Sequence, residues 1–112
     1  MDKNGILLGA FIDEKLVGYK FGYEKDPSRF HSWMGGVLNE FRRQGVASAL
    51  LHYQEDLVRR KGYECITVRT IENEYPAMFS FLLKNDYLIE TTSEQTESDG
   101  SIAIKSHFKK QL

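Results

Sequence analysis

A chain of 112 residues supplies one hydrophobic core, so a single domain spanning residues 1–112 is expected. Its 15 basic and 16 acidic side chains leave a formal charge of −1, which excludes a molecule-wide footprint for nucleic acid and confines any anion site to a local feature. No apolar run approaches the roughly 20 residues of a bilayer span, Asp2 and Lys3 lead into no leader-like apolar core, and the lone Cys65 excludes an intrachain disulfide, a pattern that suits the cytoplasm.

Residues 6–12 (Ile-Leu-Leu-Gly-Ala-Phe-Ile) form a continuous apolar run, as a strand buried on both faces requires. After the polar connection Asp13-Glu14-Lys15, residues 16–23 alternate: Val17, Tyr19, Phe21 and Tyr23 face one way, and Gly18, Lys20 and Gly22 the other. The pair reads as a hairpin. Residues 24–29 read as a loop with Pro27 fixing the turn, and 30–38 as a strand interrupted by Gly35-Gly36, a bulge or a place of close approach. From Gln44 to Lys61 the period becomes helical, with Val46, Ala49, Leu50, Tyr53 and Leu57 on one stripe and Gly62 placed to end the helix. Residues 63–70 form another strand, so strand, helix and strand make a βαβ unit whose two strands run parallel. Asn73 to Pro76 start a second helix carrying Met78, Phe79, Leu82 and Leu83. A strand at 87–92, a polar mobile loop from Ser93 to Gly100 and a last strand at 101–108 complete the order βββαβαββ, an α/β fold of the α+β mixed-sheet kind.

Chemistry concentrates in Val37 to Leu51. An apolar run ends, a basic turn with one glycine follows, and a helix begins at once. That succession presents unpaired backbone N–H groups at the positive end of a helix dipole to an anion. Arg42 and Arg43 add charge, and Gly45 lets the backbone come close because it has no Cβ. Glycine near a helix start is also common as plain structure, and arginines are commonly just solvated; the strand before and the helix after favour the phosphate reading. There is no Gly-Lys-Ser/Thr of a P-loop and no G-x-G-x-x-G of a dinucleotide fold.

The same segment resembles the acetyl-CoA signature of the GNAT N-acetyltransferase superfamily: a strand ending in valine, a polar turn with an acid and an aromatic, then Q/R-x-x-G-x-G/A opening a helix. Here these are Val37, Asn39-Glu40-Phe41 and Arg42-Arg43-Gln44-Gly45-Val46-Ala47; Asn73, Ala77, Phe79 and Lys84-Asn85-Asp86-Tyr87 resemble the family's next helix and following turn. The resemblance covers roughly residues 6–108. It implies a GNAT-like fold lacking the family's first strand and two helices, with acetyl-CoA as co-substrate and a small-molecule or peptide amine as acceptor. It further implies that the backbone from Gln44 to Ala47 holds the pyrophosphate, that Gly36, Val37 and Leu38 bind the pantetheine arm and thioester, and that Asn73 lies near the cofactor.

Two departures qualify that implication. Where many members carry a tyrosine that protonates the leaving thiolate, this chain has Leu82, and their Gly-Phe pair is Asp86-Tyr87. The helices that wall the acceptor site in the family have no counterpart, so the aromatics Tyr19, Phe21 and Tyr23 are expected to meet another chain, most simply as a homodimer, or else to be ordinary core. A non-catalytic acyl-CoA-binding or protein-interaction module is the competing reading. His31, Glu40, Glu64 and Glu72 are the bases on offer, each expected to be a solvated surface group, as are His52 and His107; Cys65 is expected to be buried and inert, and Tyr75 is no strong acid candidate. The Arg59-Arg60-Lys61 cluster fits a helix C-terminus without nucleic acid.

Overall fold

Six strands and two helices follow the expected order in a computed structural model that describes residues 4–112: β1 (Ile6–Ile12), β2 (Lys15–Asp26), β3 (Arg29–Val37), a 3-10 turn (Asn39–Phe41), α1 (Val46–Arg60), β4 (Cys65–Ile71), α2 (Pro76–Lys84), β5 (Leu88–Thr96) and β6 (Ile102–Gln111). Asp2 and Lys3, cited above against a leader, lie outside the described residues. The chain divides into two compact units, one running to Ile66 and including Leu112, the other from Thr67 to Gln111.

In the first unit the strands lie in the order β1-β2-β3, followed by the start of β4. Both hairpins are tight. Asp13 and Glu14 take positive φ (50° and 67°), the twist that a two-residue hairpin loop needs. Pro27 and Ser28 alone separate β2 from β3, so the six-residue loop expected at 24–29 is mostly strand. Asp26 is the reason: its Oδ1 accepts from the Ser28 N–H (2.9 Å), the Ser28 hydroxyl (3.0 Å) and the Arg29 N–H (2.9 Å), while Oδ2 accepts from Arg29 Nε at 2.8 Å. An aspartate folded onto its own following backbone makes the turn without glycine.

β1 is not buried on both faces. Its burial alternates along the strand, it lies at the sheet edge, and Leu7 is 70% exposed. The alternation expected for β2 is also broken, by a register shift between Ala10 and Phe11: Ala10 pairs with Gly18 and Phe11 with Leu16, leaving Val17 as the extra residue. A bulge of this kind reverses the phase. Val17 is therefore in the core, whereas Tyr19 stays half-exposed on the opposite face with Phe21 and Tyr23. A second shift at Phe21/Gly22 makes Trp33 the extra residue of β3, its ring edge-on to both Phe21 (5.9 Å) and Tyr23 (6.2 Å).

α1 packs across β1, β2 and β3 on the Gly18 face. The approach is close: a Cβ on Gly18 would stand 3.1 Å from Val46 Cγ1 and 3.1 Å from the Gly36 carbonyl oxygen, so a larger residue would push the helix or the strand aside by a few tenths of an ångström. The buried stripe of the helix is Leu50, Leu51, Gln54, Glu55 and Val58. It is rotated from the expected one, since Tyr53 is 60% exposed. Lys20 lies under the helix; burial pushes its ammonium below the ordinary lysine range, and the charge of Glu55 partly offsets this. His31, expected at the surface, is buried with its ring 5.5 Å from that of Tyr23. Tyr63 is buried against Phe30 (5.5 Å between rings) and donates its hydroxyl to Glu24 Oε1 at 2.7 Å.

In the second unit the strands lie in the order β4-β6-β5. β5 and β6 form a hairpin paired from Leu88↔Lys109 to Thr96↔Ile102, so the first half of the mobile loop expected from Ser93 to Gly100 is strand and the second half, from Glu97, is the connecting loop. α2 begins at Pro76 and ends at Asn85, whose Nδ2 donates to the Phe81 carbonyl at 2.9 Å. Leu82, Tyr87 and Phe108 are fully buried, and Phe79 meets Phe108 edge-on at 5.2 Å.

The Asp26 turn carries a pH signature. Hydrogen bonds from Arg29 and then Ser28 hold its carboxyl at about 2, below the ordinary 3.8. A lowered carboxylate contributes stability that is complete above the unfolded value and lost as pH falls through the folded one. Urea midpoints of the protein are expected to fall between pH 4 and 2 more steeply than those of Asp26→Asn, which should be less stable at pH 7 and converge with the parent in acid.

Candidate functional site

The end of β3 and the start of α1 build one continuous cradle within the first unit. The ladder between β2 and β3 extends one bond beyond the strand, as the Leu38 N–H donates to the Val17 carbonyl at 2.9 Å. The chain then turns through Asn39–Phe41, with the Phe41 N–H on the Leu38 carbonyl (2.9 Å) and the Arg42 N–H on that of Asn39 (3.3 Å). Lys15 steadies the turn from the neighbouring hairpin, its Nζ 3.8 Å from Glu40 Oε1 and 5.4 Å from the Phe41 ring centre.

Two predicted site residues shape this turn through their side chains. Arg42 reaches back, Nε donating to the Val37 carbonyl at 3.0 Å, and Gln44 Nε2 donates to the Glu40 carbonyl at 3.1 Å. Arg43 is exposed and adopts φ +62°, a left-handed conformation that costs a non-glycine residue about 1–2 kcal/mol. Gly45 follows at φ +84° and ψ +4° as the N-cap of α1. A Cβ there would meet no described atom within 4 Å, so conformation, not space, selects glycine, and the open side of the turn stays clear.

The first intrahelical bond is from the Ala49 N–H to the Gly45 carbonyl, at 2.9 Å. The amides of Val46, Ala47 and Ser48 therefore precede the helical ladder. Among the described residues no side chain caps them, and the first turn contains no acid to neutralise the dipole. Left-handed Gly45 beside helical Val46 is also the backbone alternation that gathers N–H groups into an anion-binding concavity. The arrangement suits a phosphate or pyrophosphate by charge, donor direction and openness.

Gly36, Val37 and Leu38 lie at the strand end that leads into this turn. Gly36 and Leu38 are exposed, and the Tyr19 ring covers Gly36, with Cε1 3.3 Å from where a Cβ would stand. Asn73 belongs to the second unit, exposed in the turn between β4 and α2. Beside it Glu74, overlooked in the sequence, is hydrogen-bonded to Glu97, and that contact holds its carboxyl above the ordinary range. Two acids close in space but 23 positions apart give no sequence signal.

The acid–base candidates separate clearly. Leu82 is buried and apolar, Tyr75 is exposed at the N-cap of α2, and Glu40, Glu64 and Glu72 are exposed as expected. His52 is exposed, His107 is half-buried with Nε2 2.9 Å from the Ser93 hydroxyl, and Cys65 is buried. Asp56 pairs with Arg59 (3.6 Å) and Arg60 (2.9 Å), which offsets part of the positive charge at the basic end of α1. Among the described residues no group of three or more His, Cys, Asp or Glu can hold a metal, and no helix is long and apolar enough to cross a membrane.

Residues 1–83 match the family model described as the acetyltransferase (GNAT) family. The chain is similar to the solved structure of the ribosomal-protein-S18-alanine N-acetyltransferase from Escherichia coli (TM-score 0.85, 12% identity, covering 100% of this chain and 72% of that one). It is also similar to a GNAT-family acetyltransferase from Streptococcus pneumoniae (TM-score 0.83, 16% identity, 99% and 69%). A third, PaiA N-acetyltransferase from Thermoplasma acidophilum in complex with coenzyme A, gives TM-score 0.78 and 22% identity, covering 97% of this chain and 62% of that chain. No curated protein matches.

Arg43 offers a test of the cradle's backbone. Arg43→Gly is expected to stabilise the fold by about 0.5–1 kcal/mol, the relief of the left-handed conformation less the added freedom of the unfolded chain. Chemical denaturation measures this, and a destabilised variant would contradict the left-handed geometry.

Proposed function

The chain belongs to the GNAT acetyltransferase family, and on that premise we propose that it transfers the acetyl group of acetyl-CoA to a primary amine of a small molecule or peptide. The observation that carries the reading is the uncapped, acid-free start of α1 behind left-handed Gly45. In this reading the backbone N–H groups from Gln44 to Ala47 hold the pyrophosphate, with Arg42 and Arg43 adding positive charge. Gly36, Val37 and Leu38 offer main-chain groups to the pantetheine arm, and Asn73 contributes from the turn before α2.

Acetyl-CoA supplies an acyl group already activated as a thioester. The neutral amine forms the new C–N bond, the C–S bond breaks with the electron pair leaving on sulfur, and the proton lost from the amine nitrogen ends on that thiolate, so that coenzyme A departs as the thiol. Residues 1–112 act as one domain in this reading, supported by a family match that runs through the division at Ile66. A homodimer in the cytoplasm fits the half-exposed Tyr19 and the buried Cys65, which forms no disulfide. A peptide amine is a reasonable acceptor class, since the Escherichia coli neighbour is named for a ribosomal-protein alanine.

The buried Leu82 favours a second reading, a domain that binds acyl-CoA without turnover. Calorimetry with coenzyme A, acetyl-CoA and ATP, followed by thiol release over a panel of amines, separates the two. Both coenzymes are expected to bind, and acetyl-CoA to release thiol when an accepted amine is present. Binding without release selects the second reading; absence of coenzyme A binding ends both.

Gly45→Val should weaken coenzyme A at least tenfold, about 1.4 kcal/mol, and destabilise the fold by about 1–2 kcal/mol. Retained affinity in the folded variant would remove the pyrophosphate from this turn.

A further inference from the structure

The face of the β1-β2-β3 sheet opposite α1 has no helix of its own unit over it. The strand register puts Leu7, Phe21 and Met34 on that face in one cross-strand row, and Gly9 and Tyr19 in the next. Phe11 and Leu16 lie over Gly9: a Cβ there would stand 3.2 Å from Phe11 Cε1 and 3.1 Å from Leu16 Cδ1. Trp33 joins them through its edge contacts with Phe21 and Tyr23. Leu7 is 70% exposed, Phe11 65%, Trp33 54%, Leu16 53%, Met34 45% and Tyr19 38%.

We infer that this face binds the same face of a second copy of the chain. Six large apolar side chains exposed to this extent present on the order of 600 Å², taking about 150–250 Å² for each. That is at the upper end of the largest patches on monomers, about 300–600 Å², and approaches the ~800 Å² that each partner buries in a standard interface. The positions in these cross-strand rows from Leu7 to Met34 carry no Lys, Arg, Asp or Glu. A neutral apolar face can meet its own two-fold copy without opposing like charges, as an isologous contact requires. The outer edge of β5 contrasts: it has apolar Leu88 but also Glu90 and Glu94, the charge that discourages association at an edge.

This inference names the surface for the homodimer reading above and is independent of coenzyme A. Its test uses the only tryptophan of the chain. Light scattering or sedimentation across a dilution series is expected to give a mass of two chains that dissociates on dilution. Trp33 emission should be blue-shifted and shielded from iodide in the dimer, and red-shifted and quenchable after dissociation. Leu7→Glu with Phe11→Glu changes two largely exposed residues, so circular dichroism and the melting profile should show a folded protein, with the dimer weakened roughly 100-fold or more. Leu88→Glu, in the second unit, should leave the mass unchanged. A monomer at every concentration overturns the dimer and the surface together. A dimer with quenchable Trp33, or one disrupted by Leu88→Glu and not by the β1 pair, overturns the surface while the homodimer stands. The wild-type Trp33 measurement decides the matter even if the double variant fails to fold.

Discussion

A strand must deliver its last residue to a helix start without a side chain standing in front of the helix's free amides, and the first unit is arranged around that constraint. Left-handed Gly45 satisfies it, turning the chain in one residue and leaving the amides of Val46, Ala47 and Ser48 ahead of the hydrogen-bonded ladder. The neighbouring residues hold the turn in shape: Arg42 on the Val37 carbonyl, Gln44 on the Glu40 carbonyl, and Lys15 against Glu40 and Phe41. Side chains that look like ligand-binding charge in the sequence thus serve partly as splints. An uncapped helix would ordinarily fray, and these bonds, with Val46 packed at Gly18, oppose that.

The two sheet faces of the first unit follow from the same placement. α1 needs a close floor, which Gly18 provides, and Lys20 is half-buried beside it with Glu55 near enough to offset part of the cost of desolvating its charge. The bulge at Val17 is what allows a buried valine and a glycine floor in adjacent positions. It leaves the aromatic series on the other face, where Trp33, extruded by a second bulge, ties Phe21 and Tyr23 together. One structural cost is visible: Gln54 is fully buried on α1, and its amide has no hydrogen-bond partner among the described residues.

The family relation gives this geometry its chemical meaning, while the departures from the family pattern limit how far it extends. Gly45 lies within the segment that carries the resemblance, whereas the buried Leu82 removes one source of a proton. The fold is shared with the three neighbours described at 12–22% identity, and a turn whose N–H groups come from the backbone tolerates wide variation in side chains.

Local pattern by itself determined the order of strands and helices, the starts of α1 and α2, and the glycine turn, because each rests on neighbours in sequence: a change of period, a proline in the first turn, a glycine after a basic pair. The burial of His31, the exposure of Tyr53 and the core position of Val17 were decided by tertiary structure. A bulge inserts one residue without a compositional mark and inverts every side chain beyond it, and a helix bearing Leu50, Leu51, Tyr53 and Leu57 offers more than one plausible apolar stripe until a sheet selects one. The polar run from Ser93 to Thr96 is strand only because β6 lies opposite it. Cross-strand hydrogen bonds of that kind belong to the pair, and no single segment carries their signal.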